Sequence, residues 1–141
     1  MMMTHIFTCI LFVLMCHSSN AAFTATLPTG SHYYPQNGII RYNQVLLADP
    51  GYNSASGVFT APMNGTYSVS VTMMSGLVTA HLTLRKNTVT YVWLYTGNEY
   101  DMATQNVNMN LVIGDQIWVQ MTNRATYLFD VYNTFSAVLI P

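Results

Sequence analysis

Side chains that could carry out chemistry are few in this sequence and widely separated. Beyond residue 21 the histidines are His32 and His81, and a structural histidine on a polar strand face is favoured over a zinc ligand or a catalytic base at either position. No Gly-x-Ser-x-Gly, His-Glu-x-x-His or phosphate-loop pattern is present, so no hydrolase, metalloprotease or nucleotide-binding site is indicated. The sequence therefore predicts a protein that is not an enzyme, with no catalytic or cofactor-binding residues.

One position could be modified covalently. Asn64, followed by Gly65 and Thr66, forms the N-x-S/T pattern that is the acceptor for N-linked glycans in secreted proteins. Asn-Gly is also an ordinary turn dipeptide. Glycosylation of Asn64 and a purely structural turn both remain open.

The charge composition excludes one class of partner. Only 6% of the residues are charged and the formal net charge is -1, whereas roughly 25% of an ordinary soluble domain is charged. No cluster of basic residues could neutralise phosphates, so we expect no nucleic-acid binding. A surface covered by Asn, Gln, Ser, Thr and Tyr is typical of an extracellular β-protein.

The first residues have the features of a secretory signal peptide. Residues 6–16 are apolar except for Thr8, and Ser19 with Ala21 gives the small-x-small pattern that precedes cleavage. A membrane span would need ~20 apolar residues, so we predict a signal peptide over residues 1–21 rather than an anchor, and no membrane span. Residues 22–141 then form one domain.

The cysteines fall within this leader. Cys9 and Cys16 are the only two in the chain, so residues 22–141 can form no disulfide, cysteine-based metal site or thiol nucleophile. A secreted domain of this kind must be stabilised by burial of its core, and oligomerisation can add to that.

The strongest structural pattern lies in residues 107–121. Apolar side chains occupy every second position in two runs, Val107, Met109, Leu111 and Ile113, then Ile117, Val119 and Met121. Gly114 and Asp115 separate the runs. Alternation with a short Gly-containing break predicts a β-hairpin with one buried face.

Further alternating runs are separated by Gly, Pro and Asn. Residues 66–75 alternate cleanly, with Tyr67 and Val69 on the apolar face. Residues 89–95 are apolar on both faces, so we expect both to be covered. Residues 31–38 and 123–132 are interpreted as loops. Because no apolar stripe with helical spacing occurs, the chain is predicted to be an antiparallel β-sandwich.

Six segments in a fixed order carry a family resemblance. They are Ala22-Phe23-Thr24-Ala25; residues 40–47; Gly57-Val58-Phe59-Thr60-Ala61-Pro62 with Gly65-Thr66-Tyr67; Leu84-Arg85-Lys86-Asn87; Leu111 with Gly114-Asp115-Gln116-Ile117-Trp118-Val119; and residues 135–141. Together they resemble the globular C1q domain. Two departures are Ala61, where cysteine is common in that family, and Ala137, where glycine is usual.

This resemblance implies an all-β, antiparallel jelly-roll β-sandwich of about ten strands, shared with the tumour necrosis factor ligands. It also implies a compact homotrimer. Cleavage after Ala21 would leave no collagen-like stalk, so complement activation through stalk-bound proteases is not implied. The arrangement resembles short secreted C1q-domain proteins of molluscs and other invertebrates. Their implied role is lectin-like pattern recognition of carbohydrate or microbial surface ligands in innate immunity.

The resemblance also implies a candidate calcium site. Some relatives bind calcium near the trimer axis through carboxylates of the loop that corresponds to residues 96–102, which contains Glu99 and Asp101. Asp101 is the better positional match. Calcium takes about six to eight oxygen ligands, more than one chain offers here, so solvated loop acids are the alternative.

Two other functions remain open. The shared fold equally permits a cytokine-like ligand for a cell-surface receptor, because fold alone does not fix function. A structural component of a secreted matrix is the third possibility.

Overall fold

The computed structural model describes residues 21–141. It contains twelve β-strands: β1 (Ala22–Thr26), β2 (Ser31–Tyr34), β3 (Gln44–Leu47), β4 (Tyr52–Asn53), β5 (Val58–Thr60), β6 (Gly65–Met74), β7 (His81–Lys86), β8 (Val89–Tyr95), β9 (Met102–Leu111), β10 (Gln116–Met121), β11 (Thr126–Phe129) and β12 (Thr134–Leu139). The predicted signal peptide, with Cys9 and Cys16, lies outside the described residues except for Ala21.

Ten of these strands form the sandwich. One sheet has the order β3-β1-β12-β6-β9 and the other has the order β4-β5-β10-β7-β8. All strand pairings are antiparallel. The chain crosses between the sheets from β3 to β4, β5 to β6, β6 to β7, β8 to β9 and β9 to β10, whereas β4–β5 and β7–β8 are neighbours in one sheet. The two antiparallel five-stranded sheets confirm the predicted jelly-roll sandwich. Strands β2 and β11 form a separate two-stranded sheet.

The core lies between the two sheets, on the faces that the alternation predicts. Tyr67 and Val69 of β6 are fully buried, as are Ile117 and Val119 of β10. An aromatic cluster fills one part of the core. Phe23 stacks on Tyr52 at 4.3 Å and on Phe59 at 4.8 Å, and it meets Phe135 edge-on at 5.0 Å. Because residues 22–141 contain no cysteine, burial of this core stabilises the domain without a disulfide.

The predicted hairpin over residues 107–121 is wrong. Strand β9 pairs with β6 in one sheet, whereas β10 pairs with β5 and β7 in the other. Residues 112–115 therefore connect two sheets, and Ile113 is 66% exposed there. Alternation identifies which face of a strand is buried, but it carries no information about the partner strand.

Two segments predicted as loops pair with each other. Strands β2 and β11 fall within residues 31–38 and 123–132, and they align Tyr33 with Tyr127, whose ring centroids are 5.4 Å apart. Each strand has only four residues. Such strands are too short for alternation to indicate them, and Pro35 with Asn37-Gly38 gives a stronger turn signal.

Strand β8 is covered on one face only. Leu94 points into the core, whereas Tyr91 and Trp93 are exposed, Trp93 by 57%. The expectation that residues 89–95 are covered on both faces is therefore not met within a single chain.

The register of the strands defines two ends of the sandwich. Ala22 pairs with Val138 and Gly65 pairs with Leu111, so the start of β1, the end of β12 and the β9–β10 connection share what we call the proximal end. The turns containing Asn64 and Asn87 also lie there. The opposite, distal end has residues 75–80, 96–101 and 122–125 together with the β2–β11 sheet.

Candidate functional site

A cleft at the distal end brings together residues from three strand ends. It has a volume of about 290 Å³, and we call it the Arg124 cleft. His81 begins β7, Tyr95 ends β8, and Asn123 and Arg124 follow β10. The Thr122 N–H donates to the His81 carbonyl at 2.8 Å and so ties the end of β10 to the start of β7.

Hydrogen bonds fix the polar side chains of this cleft. Arg124 Nη2 donates to Thr79 Oγ1 at 2.7 Å and to the Thr79 carbonyl at 3.3 Å. Asn123 Nδ2 lies 2.7 Å from His81 Nδ1. The His81 and Tyr95 rings meet edge-on, with centroids 5.8 Å apart. The guanidinium and the imidazole are therefore held in defined positions.

The cleft has an excess of positive charge. The salt bridge in residues 21–141 joins Lys86 to Asp115 at the proximal end, 3.8 Å apart, so it does not involve Arg124. No aspartate or glutamate lines the Arg124 cleft. Chemically, this arrangement can donate hydrogen bonds to an anion and offer an aromatic surface. It contains no nucleophile paired with a base, as a catalytic site would require.

A larger cleft lies beside the β2–β11 sheet. It has a volume of about 660 Å³ and includes His32, Tyr33, Tyr34 and Arg41, so we call it the Arg41 cleft. His32 Nε2 lies 2.7 Å from the Pro28 carbonyl, and the Arg41 N–H donates to Tyr34 Oη at 3.3 Å. Burial raises the pKa of Tyr34. The Pro28 carbonyl is a hydrogen-bond partner of His32 within the fold, which agrees with a structural role for this histidine.

The two carboxylates predicted to bind calcium share a distal loop. Asp101 Oδ1 accepts a hydrogen bond from the Met102 N–H at 3.0 Å, and the backbone of Asp101 is tied to Ser75. In the part of the chain that the structure describes, no three His, Cys, Asp or Glu side chains lie close enough to hold a metal ion. Calcium at Glu99 and Asp101 stays a prediction. One chain supplies too few oxygen ligands for calcium, so the site would need ligands from further copies of the chain.

Asn64 is exposed at the proximal end, in the turn before β6. Its Oδ1 accepts a hydrogen bond from the Ile113 N–H at 2.7 Å. The side-chain nitrogen, to which a glycan would be attached, makes no hydrogen bond to the described residues. Glycosylation stays a prediction that this geometry permits.

Two exposed features lie side by side along the sandwich. A polar ladder covers the outer face of β6 and β9; it consists of Thr66, Ser68, Ser70, Thr72, Thr104, Asn106, Asn108 and Asn110. Thr66 Oγ1 donates to Asn110 Oδ1 at 2.7 Å. Next to the ladder, Tyr91 and Trp93 form the aromatic stripe, and Tyr91 Oη donates to the Asn108 carbonyl at 2.9 Å.

Sequence reasoning singled out His81 but missed the other members of its cleft. Tyr95, Asn123 and Arg124 come from chain segments that only the sheet pairing brings together. A signal was available in the composition, because Arg124 is one of only four Lys and Arg residues in the chain and has no acidic neighbour in sequence until Asp130. In residues 21–141 the structure has no helix long and apolar enough to cross a membrane.

Solved structures support the fold. The chain is similar to the globular domain of zebrafish complement 1qA protein, with a TM-score of 0.67 at 19% identity, over 87% of this chain and 98% of that one. It is also similar to Eiger TNF from S. frugiperda, with a TM-score of 0.70 at 14% identity, over 86% of this chain and 93% of that one. Both are similarities of fold.

Sequence comparison reaches the same family. Complement C1q tumor necrosis factor-related protein 6 of Mus musculus is 28% identical over 135 residues, which is 89% of this chain and 51% of that protein. Complement C1q and tumor necrosis factor-related protein 9 of Mus musculus is 31% identical over 109 residues, 72% of this chain and 32% of that protein. The chain thus spans about half the length, or less, of these relatives. The C1q domain model matches residues 22–140, and the chain therefore belongs to the C1q domain family.

Proposed function

We propose that this protein is a secreted, non-enzymatic recognition protein that binds carbohydrate or microbial surface ligands through its distal end, as a lectin-like component of innate immunity. The observation that carries the proposal is the Arg124 cleft. Its hydrogen-bonded Arg124 and His81 and its exposed Tyr95 are the groups with which proteins hold polar ligands.

Two features support secretion. Residues 1–21 have the pattern of a signal peptide. The domain that follows lacks cysteine, and its core of stacked aromatic rings is independent of the redox state of the compartment. An extracellular location is where such a protein would meet microbial surfaces.

We also infer that the active form is a homotrimer. The rings of the aromatic stripe remain exposed in residues 21–141, and aromatic residues are enriched at the centres of protein interfaces. The adjacent polar ladder offers hydrogen-bonding groups along β6 and β9. A contact between the stripe of one copy and the ladder of the next is heterologous, and such contacts can close into a ring. Three copies is the number that the resemblance to the C1q domain implies.

A glycan array and a pull-down with whole bacteria test the proposal, using the purified secreted protein in its native oligomeric state. We expect saturable binding to a subset of glycans or to bacterial cells, with competition by the free sugar. A protein with the distal residue Tyr95 replaced by alanine should bind less, whereas Tyr132→Ala, a change at another exposed tyrosine, should bind normally. Blank results in both assays would refute the proposal.

A cytokine-like ligand for a cell-surface receptor is the second candidate. A distal apolar hollow of about 220 Å³, lined by Leu77, Val78, Tyr100 and Tyr127, favours it, because exposed apolar side chains grouped at one end are typical of protein interfaces. The matched relatives are named as tumor necrosis factor-related proteins. Saturable binding to host cells that free sugars do not reduce, and that Leu77→Ser abolishes, would support this candidate instead.

A further inference from the structure

We propose that the Arg124 cleft is the subsite for an acidic sugar, a single pyranose unit that carries a carboxylate or a sulfate group. This inference rests on the proposed recognition function and specifies the chemical class of its ligand. It is argued from the positions of Arg124, His81 and Tyr95 and from the absence of acidic residues in the lining of the cleft.

Arg124 supplies the charge in a fixed orientation. Its Nη2 is used by Thr79, while its Nε and Nη1 make no hydrogen bond to residues 21–141. A guanidinium presents its N–H groups as a planar fork that matches a carboxylate or a sulfate. Because Thr79 already holds the side chain, less conformational entropy is lost when an anion binds.

His81 adds a second donor beside the first. With the Asn123 amide oriented as it is, the Asn123 Nδ2–H donates to His81 Nδ1, so the neutral imidazole carries its hydrogen on Nε2. His81 Nε2 makes no hydrogen bond to the described part of the chain. Because His81 and Arg124 line the same cleft, one ligand can use the imidazole N–H together with the free guanidinium N–H groups.

Tyr95 makes a sugar a better candidate than a free inorganic anion. Tyr95 is 62% exposed and its ring meets that of His81 edge-on, so the ring offers an apolar surface next to the donors. A volume of about 290 Å³ accommodates one sugar unit with its hydrating water.

The Arg41 cleft does not have the same arrangement. His32 Nε2 is already taken by the Pro28 carbonyl, and no side-chain hydrogen bond of the Arg41 guanidinium is made to the described residues. A nucleic acid or a polyphosphate is also disfavoured for the Arg124 cleft, because Arg124 is the single Lys or Arg in its lining and such ligands need several cations.

The test compares three sugars that share one ring. Glucuronic acid, glucose 6-sulfate and glucose are titrated into the purified full-length secreted protein, and binding is followed by saturation-transfer NMR. We expect both acidic sugars to bind with dissociation constants in the millimolar range. Glucose should bind at least about tenfold more weakly, because it lacks the anion that the Arg124 guanidinium would hold. A difference between glucuronic acid and glucose 6-sulfate would assign the anion as carboxylate or sulfate.

Variants locate the interaction. Arg124→Gln should weaken binding of the acidic sugar by about tenfold or more, and Arg124→Lys should restore part of it, because charge is kept while the planar fork is lost. Arg85→Gln is the matched control: it removes the same charge near the β7–β8 turn at the proximal end and should leave binding unchanged. Thermal unfolding of each variant shows that it is folded.

The outcomes separate this inference from the proposed function. Equal binding of glucose and glucuronic acid, or unchanged binding by folded Arg124→Gln, overturns the acidic-sugar subsite. If the glycan array is nevertheless positive, recognition stands and the ligand class or the site is a different one. If the array is blank but acidic monosaccharides bind through Arg124, the subsite stands and the microbial role falls.

Discussion

At the scale of single residues, Tyr42 and Thr26 carry the buried side-chain hydroxyls that lack a hydrogen-bond partner in residues 21–141, and Tyr42 is the larger of the two. It is 0% exposed, and its hydroxyl has no hydrogen-bond partner among the described residues. We expect Tyr42→Phe to leave the free energy of unfolding unchanged or to raise it by about 1 kcal/mol, because an unpaired buried hydroxyl costs free energy. Urea denaturation measures this.

The control for Tyr42 is its neighbour Tyr52. Tyr52 Oη donates to the Tyr42 carbonyl at 2.6 Å, so Tyr52→Phe should lower the free energy of unfolding by about 1 kcal/mol. A loss from Tyr42→Phe as large as the loss from Tyr52→Phe would show that a buried water satisfies the Tyr42 hydroxyl.

Buried tyrosines also set the response to alkaline pH. Burial raises the pKa of Tyr42, Tyr52 and Tyr67 above the ordinary value, and Tyr34 shifts the same way. The unfolded chain releases these protons near about pH 10 while the folded protein keeps them, so the folded state binds more protons. The contribution of these tyrosines to the free energy of unfolding is therefore constant below about pH 9 and falls above about pH 10.

Chemical denaturation between about pH 8 and pH 11 measures this loss, and ultraviolet absorbance of tyrosinate follows the ionisation. The decline should be shallower in Tyr42→Phe, which removes one of the shifted groups. A free energy of unfolding that stays level to about pH 11 in the wild type would contradict the prediction.

Asp49 contacts Ala22, the residue that the predicted signal-peptide cleavage would make the N-terminus. Its Oδ2 accepts the Ala22 N–H at 3.0 Å and its Oδ1 accepts the Gly51 N–H at 2.8 Å. If cleavage follows Ala21, the Ala22 nitrogen becomes an ammonium group paired with this carboxylate. We expect Asp49→Asn to cost about 1 kcal/mol more in a chain with a free Ala22 amine than in one with an acetylated Ala22.

Acetylation is the matched control because it keeps an N–H for Asp49 and restores a carbonyl where Ala21 accepts the Leu139 N–H at 2.8 Å. Denaturation of the four proteins gives the coupling free energy. Equal costs of Asp49→Asn in both forms would mean that the ammonium gains nothing from this position.

At the scale of the elements, Asn133 fastens the β2–β11 sheet to the sandwich. It is fully buried before β12, its Oδ1 accepts the Met74 N–H at 3.0 Å, and its Nδ2 donates to the Phe129 carbonyl at 2.8 Å. We expect Asn133→Ala to lower the free energy of unfolding by about 3 kcal/mol, because these buried backbone groups lose their partners.

Asn43→Ala is the comparison for Asn133. Asn43 is exposed, and its side chain makes no hydrogen bond to the described residues, so its loss should change stability by less than about 0.5 kcal/mol. Urea denaturation measures both variants. If the two substitutions had the same effect, the anchoring role of Asn133 would be wrong.

The elements also show how far the sequence determines the fold. The buried face of β6, with Tyr67 and Val69, could be predicted because a period of two specifies which side chains share a face. The pairing of β9 with β6 could not, since it depends on contacts remote in sequence. Asn133 gave no signal at all, because a buried asparagine is distinguished only by the backbone groups around it.

The candidate site was less predictable than the fold. The family motifs mark scaffold positions such as Gly57 and Trp118, whereas the Arg124 cleft draws on residues outside those motifs. Loops at the ends of strands vary without affecting the core. Sequence patterns therefore identify the sandwich better than the ligand.

At the scale of the whole molecule, the exposed aromatic stripe leads to a prediction about assembly. We expect Trp93→Ala to shift the protein from trimer toward monomer, with the contact weakened by about 2 kcal/mol or more, as for a central interface tryptophan. Light scattering coupled to size exclusion measures the mass. Tyr127→Ala removes another exposed aromatic ring, at the distal end, and should leave the trimer intact.

A monomeric wild-type protein would refute the trimer itself, and a trimeric Trp93→Ala would refute the stripe as its contact. Tryptophan fluorescence gives a second reading, because the chain has only Trp93 and Trp118. Emission from Trp93 should shift to shorter wavelength as the trimer forms and the ring leaves water.

The placement of the clefts away from the proximal end has a practical consequence. The start of β1, the end of β12 and Asn64 all lie at the proximal end, while both clefts draw on segments at or beside the distal end. A tether attached before β1, after β12 or through a sugar on Asn64 would immobilise the protein on a sensor chip with both clefts facing the solution. Because residues 22–141 contain no cysteine, one introduced thiol at the proximal end would give a single, uniform point of attachment.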